Sequence, residues 1–206
     1  MPALSVETVI VGEMQVNCYL VENKEKQELL IVDPGAEGER IIAAVGKRKP
    51  VAVLLTHAHF DHIGAVDAVC GRFGIPLYVH AEDADKLSDP AKNVSDAFGG
   101  QVLVQTAPTL VTGGEELTLA GIPLAVLHTP GHSAGCCCYL LPEGQGLLSG
   151  DTLFAHGYGR TDFGDGDMKA LMKSLRMLLR LTPQMPLYPG HGEAGMVGRE
   201  PASEAL

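Results

Sequence analysis

Short apolar runs broken by polar or glycine-containing turns fill the first third of the chain, in the manner of strands. ETVIVG (7–12), NCYLVE (17–22) and ELLIVDPG (28–35) lie between polar or glycine-containing turns, which predicts three strands. The pattern then changes, and AEGERIIAAVGKRK (36–49) predicts a helix whose closing glycine and Lys/Arg residues suit a C-terminus. VAVLLTH (51–57) is a continuous apolar run up to its last two residues, as in a strand buried on both faces. A helix is expected over HIGAVDAVCGRFG (62–74) and a further strand over PLYVH (76–80).

The second half returns to strands in ELTLA (116–120), PLAVLH (123–128), GCCCYLL (135–141) and GLLSGD (146–151). In MKALMKSLRMLLRL (168–181), Met168, Leu171, Met172, Leu175, Leu178 and Leu179 recur near the 3.6-residue period of an amphipathic helix. Asp165 or Asp167 is available as its N-cap. A last short strand falls in MPLYPGH (185–191), the tail beyond Gly192 reads as loose, and residues 88–110 read as a flap or loop. Two blocks of strands, each finished by helices, point to an α/β fold: two packed mixed sheets with helices outside, a four-layer αββα sandwich. No linker or low-complexity tract divides the chain, so a single domain over 1–206 is expected.

Composition narrows the function classes. With 46% hydrophobic residues, 19% charged and 25 glycines, the chain suits a compact globule with many tight turns, and without Trp its core must be mainly aliphatic. A net charge of -10 argues against nucleic acid as a partner and disfavours anionic membranes. The opening MPALSVETVIVG lacks a basic segment followed by an apolar stretch, and no apolar run reaches transmembrane length; a cytoplasmic location is expected. Of five cysteines, Cys136, Cys137 and Cys138 are consecutive, which does not resemble a disulfide framework. Buried thiols are the expected state and a thiolate metal site the alternative, although neighbouring strand residues face opposite ways and cannot all meet one ion.

The chemistry concentrates in four loops, each just past a predicted strand. His57, His59, Asp61 and His62 follow VAVLLT, His132 follows LAVLHTPG, Asp151 follows GLLSG, and His191 follows PLYPG. Strand ends in layered α/β folds often gather at one edge, where loops build sites on a rigid scaffold. Residues two apart in an extended segment project to one side, so His57 and His59 can chelate one ion. Asp61 and His62 come where the chain turns into a helix and can diverge toward a second, with Asp151 the best candidate to bridge both. Imidazoles and carboxylates without thiolates suit zinc, iron or manganese in an open catalytic site.

THAHFDH (56–62), TPGHS around His132, SGD at Asp151 and PGH at His191 resemble the metallo-β-lactamase superfamily, in the expected order over nearly the whole chain. The resemblance implies an αββα sandwich with its metal site on one edge. It implies one metal on His57, His59 and His132, a second on Asp61, His62 and His191, and Asp151 bridging, with Asp61 and Asp151 as the catalytic carboxylates. Antibiotic-hydrolysing members often use a cysteine where this chain has Asp151. Residues 150–167, GDTLFAHGYGRTDFGDGD, are similar to the short glyoxalase II-like branch, whose relatives hydrolyse hydroxyacyl-glutathione thioesters; the Gly-Arg-Thr-Asp-Phe pattern is also similar to persulfide dioxygenases. Full-length glyoxalase II carries an added C-terminal helical domain with glutathione-binding residues, and this sequence ends soon after His191.

The function implied is hydrolysis of small thioesters or related esters by a metal-bridging hydroxide, with two divalent cations, most simply zinc, as cofactors. The alternative implied is a mononuclear iron persulfide dioxygenase using His57, His132 and Asp151. Asp33, ending a strand in IVDPG, is either a turn residue or supports the metal loop by hydrogen bonding from behind. Arg160 either pairs with Asp162 or grips a substrate carboxylate. His156 and Tyr158 are candidates to face the substrate, whereas His80 and His128 read as structural.

Overall fold

The computed structural model describes residues 2–181 and 184–198. A six-stranded sheet comes first: β1 (Leu4–Val11), β2 (Val16–Asn23), β3 (Glu28–Val32), β4 (Lys49–Leu54), β5 (Leu77–His80) and β6 (Pro108–Val111) lie side by side in chain order. The first three strands are antiparallel hairpins, and from β3 to β6 the neighbours run parallel. The crossovers are helical: α1 (Gly38–Val45) joins β3 to β4, and α2 (Phe60–Ile63) with α3 (Val66–Phe73) joins β4 to β5.

The second sheet is built from β7 (Glu116–Leu119), β8 (Ile122–His128), β9 (Cys137–Leu140) and β10 (Leu147–Gly150), then a small hairpin, β11 (Leu153–Phe154) with β12 (Gly157–Tyr158), outside the sheet. After α4 (Met168–Leu178) come β13 (Pro186–Pro189) and β14 (Gly195–Met196). The order across it is β14-β13-β10-β9-β8-β7, antiparallel except where β13 lies parallel to β10.

Period-two alternation decides which residue serves which layer. In β3, Leu30 and Val32 enter the core between the sheets, while Leu29 and Ile31 turn outward to α1 and α3. In β9, Cys137 faces the inter-sheet core and Cys138 the outer core beneath α4. Leu171, Leu175 and Leu178 bring α4 onto that outer core. The expected four layers follow: helices, sheet, sheet, helix. Asp167 is the N-cap of α4, its carboxylate accepting from the amides of Lys169 (2.7 Å) and Ala170 (3.0 Å).

Four readings of the sequence need correction. The helix expected over 62–74 breaks into α2 and α3, with Gly64 at the break packed so closely that a Cβ there would meet the carbonyl oxygen of Gly35. The helix expected over 36–49 ends at Val45, because Lys49 already belongs to β4. Of the two readings of residues 88–110 the loop holds as far as β6 and the flap does not: Asn93 donates to the carbonyls of Lys86 and Val102 at 2.9 and 2.8 Å, and Asp67 accepts from Gln105 and Thr106. The tail beyond Gly192 is held as far as it is described, through β14 and a buried Val197; residues 199–206 lie outside the described part. Among the described residues no helix is long and apolar enough to cross a membrane.

Candidate metal centre

At one edge the two sheets are tied together where β4 ends. The amide of Cys137 donates to Thr56 O at 2.8 Å, and the Tyr139 hydroxyl donates to Leu55 O at 2.9 Å. The HAHFDH loop leaves β4 at this edge, and the other three loops converge on it. His57, His59 and His132 place ring nitrogens within 4.8 Å of one another; Asp61, His62 and His191 form a second such group. Asp151 touches both, with Oδ1 3.5 Å from His62 Nε2 and Oδ2 3.6 Å from His132 Nε2 and 3.5 Å from His191 Nε2. All seven residues proposed from the sequence as ligands therefore meet in one buried-to-half-buried cluster.

The rings are aimed by bonds on their far sides. His132 Nδ1 donates to Arg160 O at 2.7 Å, His191 Nδ1 to Met14 O at 3.0 Å, and His62 Nδ1 to Asp33 Oδ2 at 3.1 Å. The Thr56 hydroxyl donates to Asp33 Oδ2 at 2.6 Å and so has a lone pair for His57 Nδ1 at 3.2 Å. Each of these four rings turns its Nε2 inward, the atom that binds a metal in the neutral ring. His59 is reversed: its Nδ1 lies 2.9 Å from His132 Nε2. Buried and without a partner are His57 Nε2, His59 Nε2 and Asp151 Oδ1. Unpartnered buried polar atoms cost about 1–3 kcal/mol each, so three in one cluster mark a ligand site, and a cation suits the lone pairs offered.

Electrostatics agrees. Burial, helped by the charges of its histidine neighbours, holds His57 neutral and far below the usual histidine range, and it pushes His59 down to about 3. Burial acts on His62 as well, but Asp61, Asp151 and Asp33 overcome it and raise that ring to about 10. His191 is raised against burial by Asp61 and Asp151, and the Asp61 carboxyl is held well below the carboxylate range against burial by His62 and His191. The carboxylates thus draw positive charge into the cluster, which one or two metal cations would supply directly.

Asp33 satisfies both readings made of it: it sits at φ 51° in a left-handed turn, and its carboxylate also accepts the Thr56 amide at 2.8 Å. Arg160 pairs with Asp162 through two bonds of 2.6 Å while its edge lines the cavity. His156 does not face the site; it is exposed and bonded to Glu193 at 3.0 Å, because the β11–β12 hairpin carries it outward. Tyr158 packs on the core beneath α4. His80 and His128 stack on each other at 4.1 Å, apart from the cluster. All five cysteines are free and buried, and none joins a metal-capable group among the described residues, so the thiolate alternative falls.

Two supports escaped the sequence reading. Asn17 donates to the carbonyls of Pro189 and Gly192, at 3.0 and 2.8 Å, and so straps the loop bearing His191. Asp83 is fully buried and accepts from the amide of Ala58 (2.8 Å), the Ser133 hydroxyl (2.8 Å), the amide of Gly135 (2.7 Å) and Lys86 Nζ (2.8 Å). One carboxylate thereby ties the loop of His57 and His59 to the loop of His132. Its only sequence signal was a place three residues past a strand, the same rule that found the ligands.

A family model described as "Metallo-beta-lactamase superfamily" matches residues 11–191. The chain is 39% identical over 186 residues to a probable metallo-hydrolase, YqgX, of Bacillus subtilis, covering 88% of this chain and 87% of that one. It is 33% identical over 205 residues to the hydroxyacylglutathione hydrolase GloC of Haemophilus influenzae, covering 97% and 96%. Among solved structures, the BLEG-1 B3 metallo-β-lactamase superposes with a TM-score of 0.91 at 39% identity, over 95% of this chain and 96% of that one. TTHA1623 in a di-iron-bound form superposes with a TM-score of 0.82 at 37% identity, over 93% and 95%.

Proposed function

The chain belongs to the metallo-β-lactamase superfamily, and from that premise we propose that it is a two-metal hydrolase of small thioesters or related esters. The observation that carries this reading is the pair of adjoining ligand groups that share Asp151, with His57 Nε2 and Asp151 Oδ1 buried and unpartnered between them. His57, His59 and His132 would hold one cation, Asp61, His62 and His191 the other, with Asp151 on both. Zinc fits the donors, and iron is the natural competitor because TTHA1623 is described as di-iron-bound. When bound, such a pair supplies Lewis acidity and hydroxide at neutral pH.

The chain's own contribution is orientation and selection. The Asp33–Thr56 pair, Arg160 O and Met14 O fix four imidazoles without allowing them to turn, and Asp83 fixes the two loops between them. Among the described residues no side chain lining the cavity is a free general acid: His59, His132, His191 and Asp151 are taken up as ligands in this reading, Arg160 stays charged in its pair, and Asp61 is held ionised. A thiolate, with a pKa of about 8.5, departs without a proton, whereas an amide nitrogen does not, so a thioester suits this inventory better than a β-lactam. GloC is described as acting on hydroxyacylglutathione and BLEG-1 as a lactamase, which makes S-lactoylglutathione and a chromogenic cephalosporin the two substrates to set side by side. Thioester cleavage by protein carrying two metals per chain is the expected result, and metal-replete protein inert toward thioesters overturns the proposal.

The runner-up is a persulfide dioxygenase with a single iron on His57, His132 and Asp151, supported by the Gly159–Phe163 pattern and by His132 Nε2 lying 3.6 Å from Asp151 Oδ2. Oxygen uptake with glutathione persulfide, and iron near one per chain, would select it.

A further inference from the structure

One wall of the cavity over the ligand cluster is apolar. Met14, Phe60, Val94, Phe98 and Phe163 line it alongside His59, His132 and His191. The aromatic rings contact one another, Phe60 to Phe98 at 5.0 Å and Phe98 to Phe163 at 6.0 Å between centroids. Phe98 is 51% exposed and Met14 46%, although the protein buries most of its other large apolar side chains. Exposed apolar side chains scattered over a surface need no explanation, but two of them converging on a row of metal-capable residues do.

The wall is held rigidly. The amide of Phe60 donates to Asn93 O at 2.9 Å, Asn93 is itself bonded to Lys86 O and Val102 O, and the Ser95 hydroxyl accepts the amide of Val102 at 3.1 Å. These bonds fix the short 3-10 turn Ser95–Phe98 against α2. A ready-made apolar surface loses little entropy when a ligand covers it.

Beyond the ligand cluster, the side chains around the wall offer little positive charge. Among the described residues Arg160 is the one Lys or Arg lining the cavity, and its Cζ lies over the Phe163 ring at 3.9 Å while both of its bonds to Asp162 are made. A second hollow shares Met14, Phe60, Asp61 and Phe98 with the first and, among the described residues, is lined by Glu13 but by no Lys or Arg. Glutathione carries two carboxylates and one ammonium, and among the described residues these surfaces give its carboxylates no unpaired Lys or Arg.

Resting on the thioester reading above, we propose that this site selects substrates with an uncharged aromatic or branched apolar acyl group, seated on Phe60, Phe98 and Phe163, and that a neutral thiol carrier is preferred to glutathione. The Arg160–Asp162 pair is solvent-exposed, so it hinders a competing carboxylate only modestly, by a factor of about five. The apolar wall is the larger effect: partial covering of an aromatic ring corresponds to about tenfold in binding.

The test uses metal-loaded protein and two readouts. The first is kcat/KM, corrected for intrinsic hydrolysis rates, for acetyl and phenylacetyl thioesters of N-acetylcysteamine and of glutathione. The second is the Kd of phenylacetate against acetate by calorimetry, which compares the same carboxylate with and without a ring. Expected are an approximately tenfold preference for phenylacetyl and for phenylacetate, lower kcat/KM for the glutathione thioesters, and loss of the ring preference in Phe98→Ala with the melting temperature retained. Asp162→Asn, which releases the guanidinium, should raise glutathione-thioester turnover relative to the neutral thioester by about fivefold.

Equal binding of the two carboxylates, or a preference for the glutathione thioesters, overturns the inference. If no thioester is cleaved yet phenylacetate still binds tenfold tighter through Phe98, the apolar subsite stands and the thioester reading fails.

Discussion

Asp83 gives the most demanding prediction. Each of its carboxylate oxygens accepts two hydrogen bonds, Oδ2 from Ala58 N and the Ser133 hydroxyl, Oδ1 from Gly135 N and Lys86 Nζ. Asp83→Asn keeps the size and removes the charge. With its NH₂ toward Ala58 and Ser133 the hydroxyl can turn to accept, but the Ala58 amide is orphaned; turned the other way the NH₂ faces the Gly135 amide and the Lys86 ammonium. At least one bond is lost, and Lys86, only 3% exposed, keeps just Asp165 as a charge partner. Removing one member of a buried charge pair costs about 3–5 kcal/mol. For a chain of this size that corresponds to a melting temperature lower by roughly 10 °C.

The same substitution loosens the loops of His57, His59 and His132 and should weaken metal binding by about 10–100-fold, as loss of a supporting hydrogen bond does elsewhere. Chemical denaturation of the metal-free protein, with a competitive chelator titration of the loaded one, reads both effects. Asp83→Asn/Lys86→Met should be less damaged than the sum of its single changes, because the orphaned ammonium is gone. The pH dependence has a definite sign. Burial would raise the Asp83 carboxyl, but Lys86 and the amide and hydroxyl donors lower it below its unfolded value. Its stabilisation is therefore complete above about pH 4 and lost as pH falls through the depressed folded value, and the substituted protein should lack that part of the acid transition. A variant within about 1 kcal/mol of wild type with undiminished metal affinity refutes the reasoning.

Three further outcomes follow from the geometry. A methyl group on Gly190 would collide with Asp151 Oδ1 and lie 2.8 Å from His62 Cε1, so Gly190→Ala should fold yet lose at least tenfold in metal affinity by chelator competition. All five thiols are buried, and each is raised above its usual range chiefly by burial, so Ellman's reagent should label essentially none in the native protein and all five on unfolding. His156→Ala should leave kcat/KM within about twofold of wild type, because the ring points to solvent and an exposed pair with Glu193 contributes little.

The layered fold was readable because short apolar runs such as ELLIV and CCYL mark strands buried on both faces, and each residue then goes to the face its parity assigns. The helix over 62–74 was misread because the break at Gly64 is set by the carbonyl of Gly35, a contact that no local pattern reveals. The seven ligand candidates were legible as four loops following one rule, strand end then His or Asp. Asp83 and Asn17 were not, since a carboxylate or amide between loops distant in sequence looks like any turn residue until the loops are brought together. His156 was placed by proximity to Asp151 in sequence, and the β11–β12 hairpin reverses the chain between them. The aromatic wall was invisible for a similar reason: Phe60, Phe98 and Phe163 come from three segments distant in sequence.

The most direct test of the central claim is the metal content of purified wild-type protein beside Asp151→Ala and His59→Ala, after equilibration with zinc and removal of loosely held ions. Two ions per wild-type chain, falling in both variants together with thioester hydrolysis, is the outcome the two adjoining ligand groups require. Fewer than two ions in the wild type, or full occupancy and activity in either variant, would contradict it.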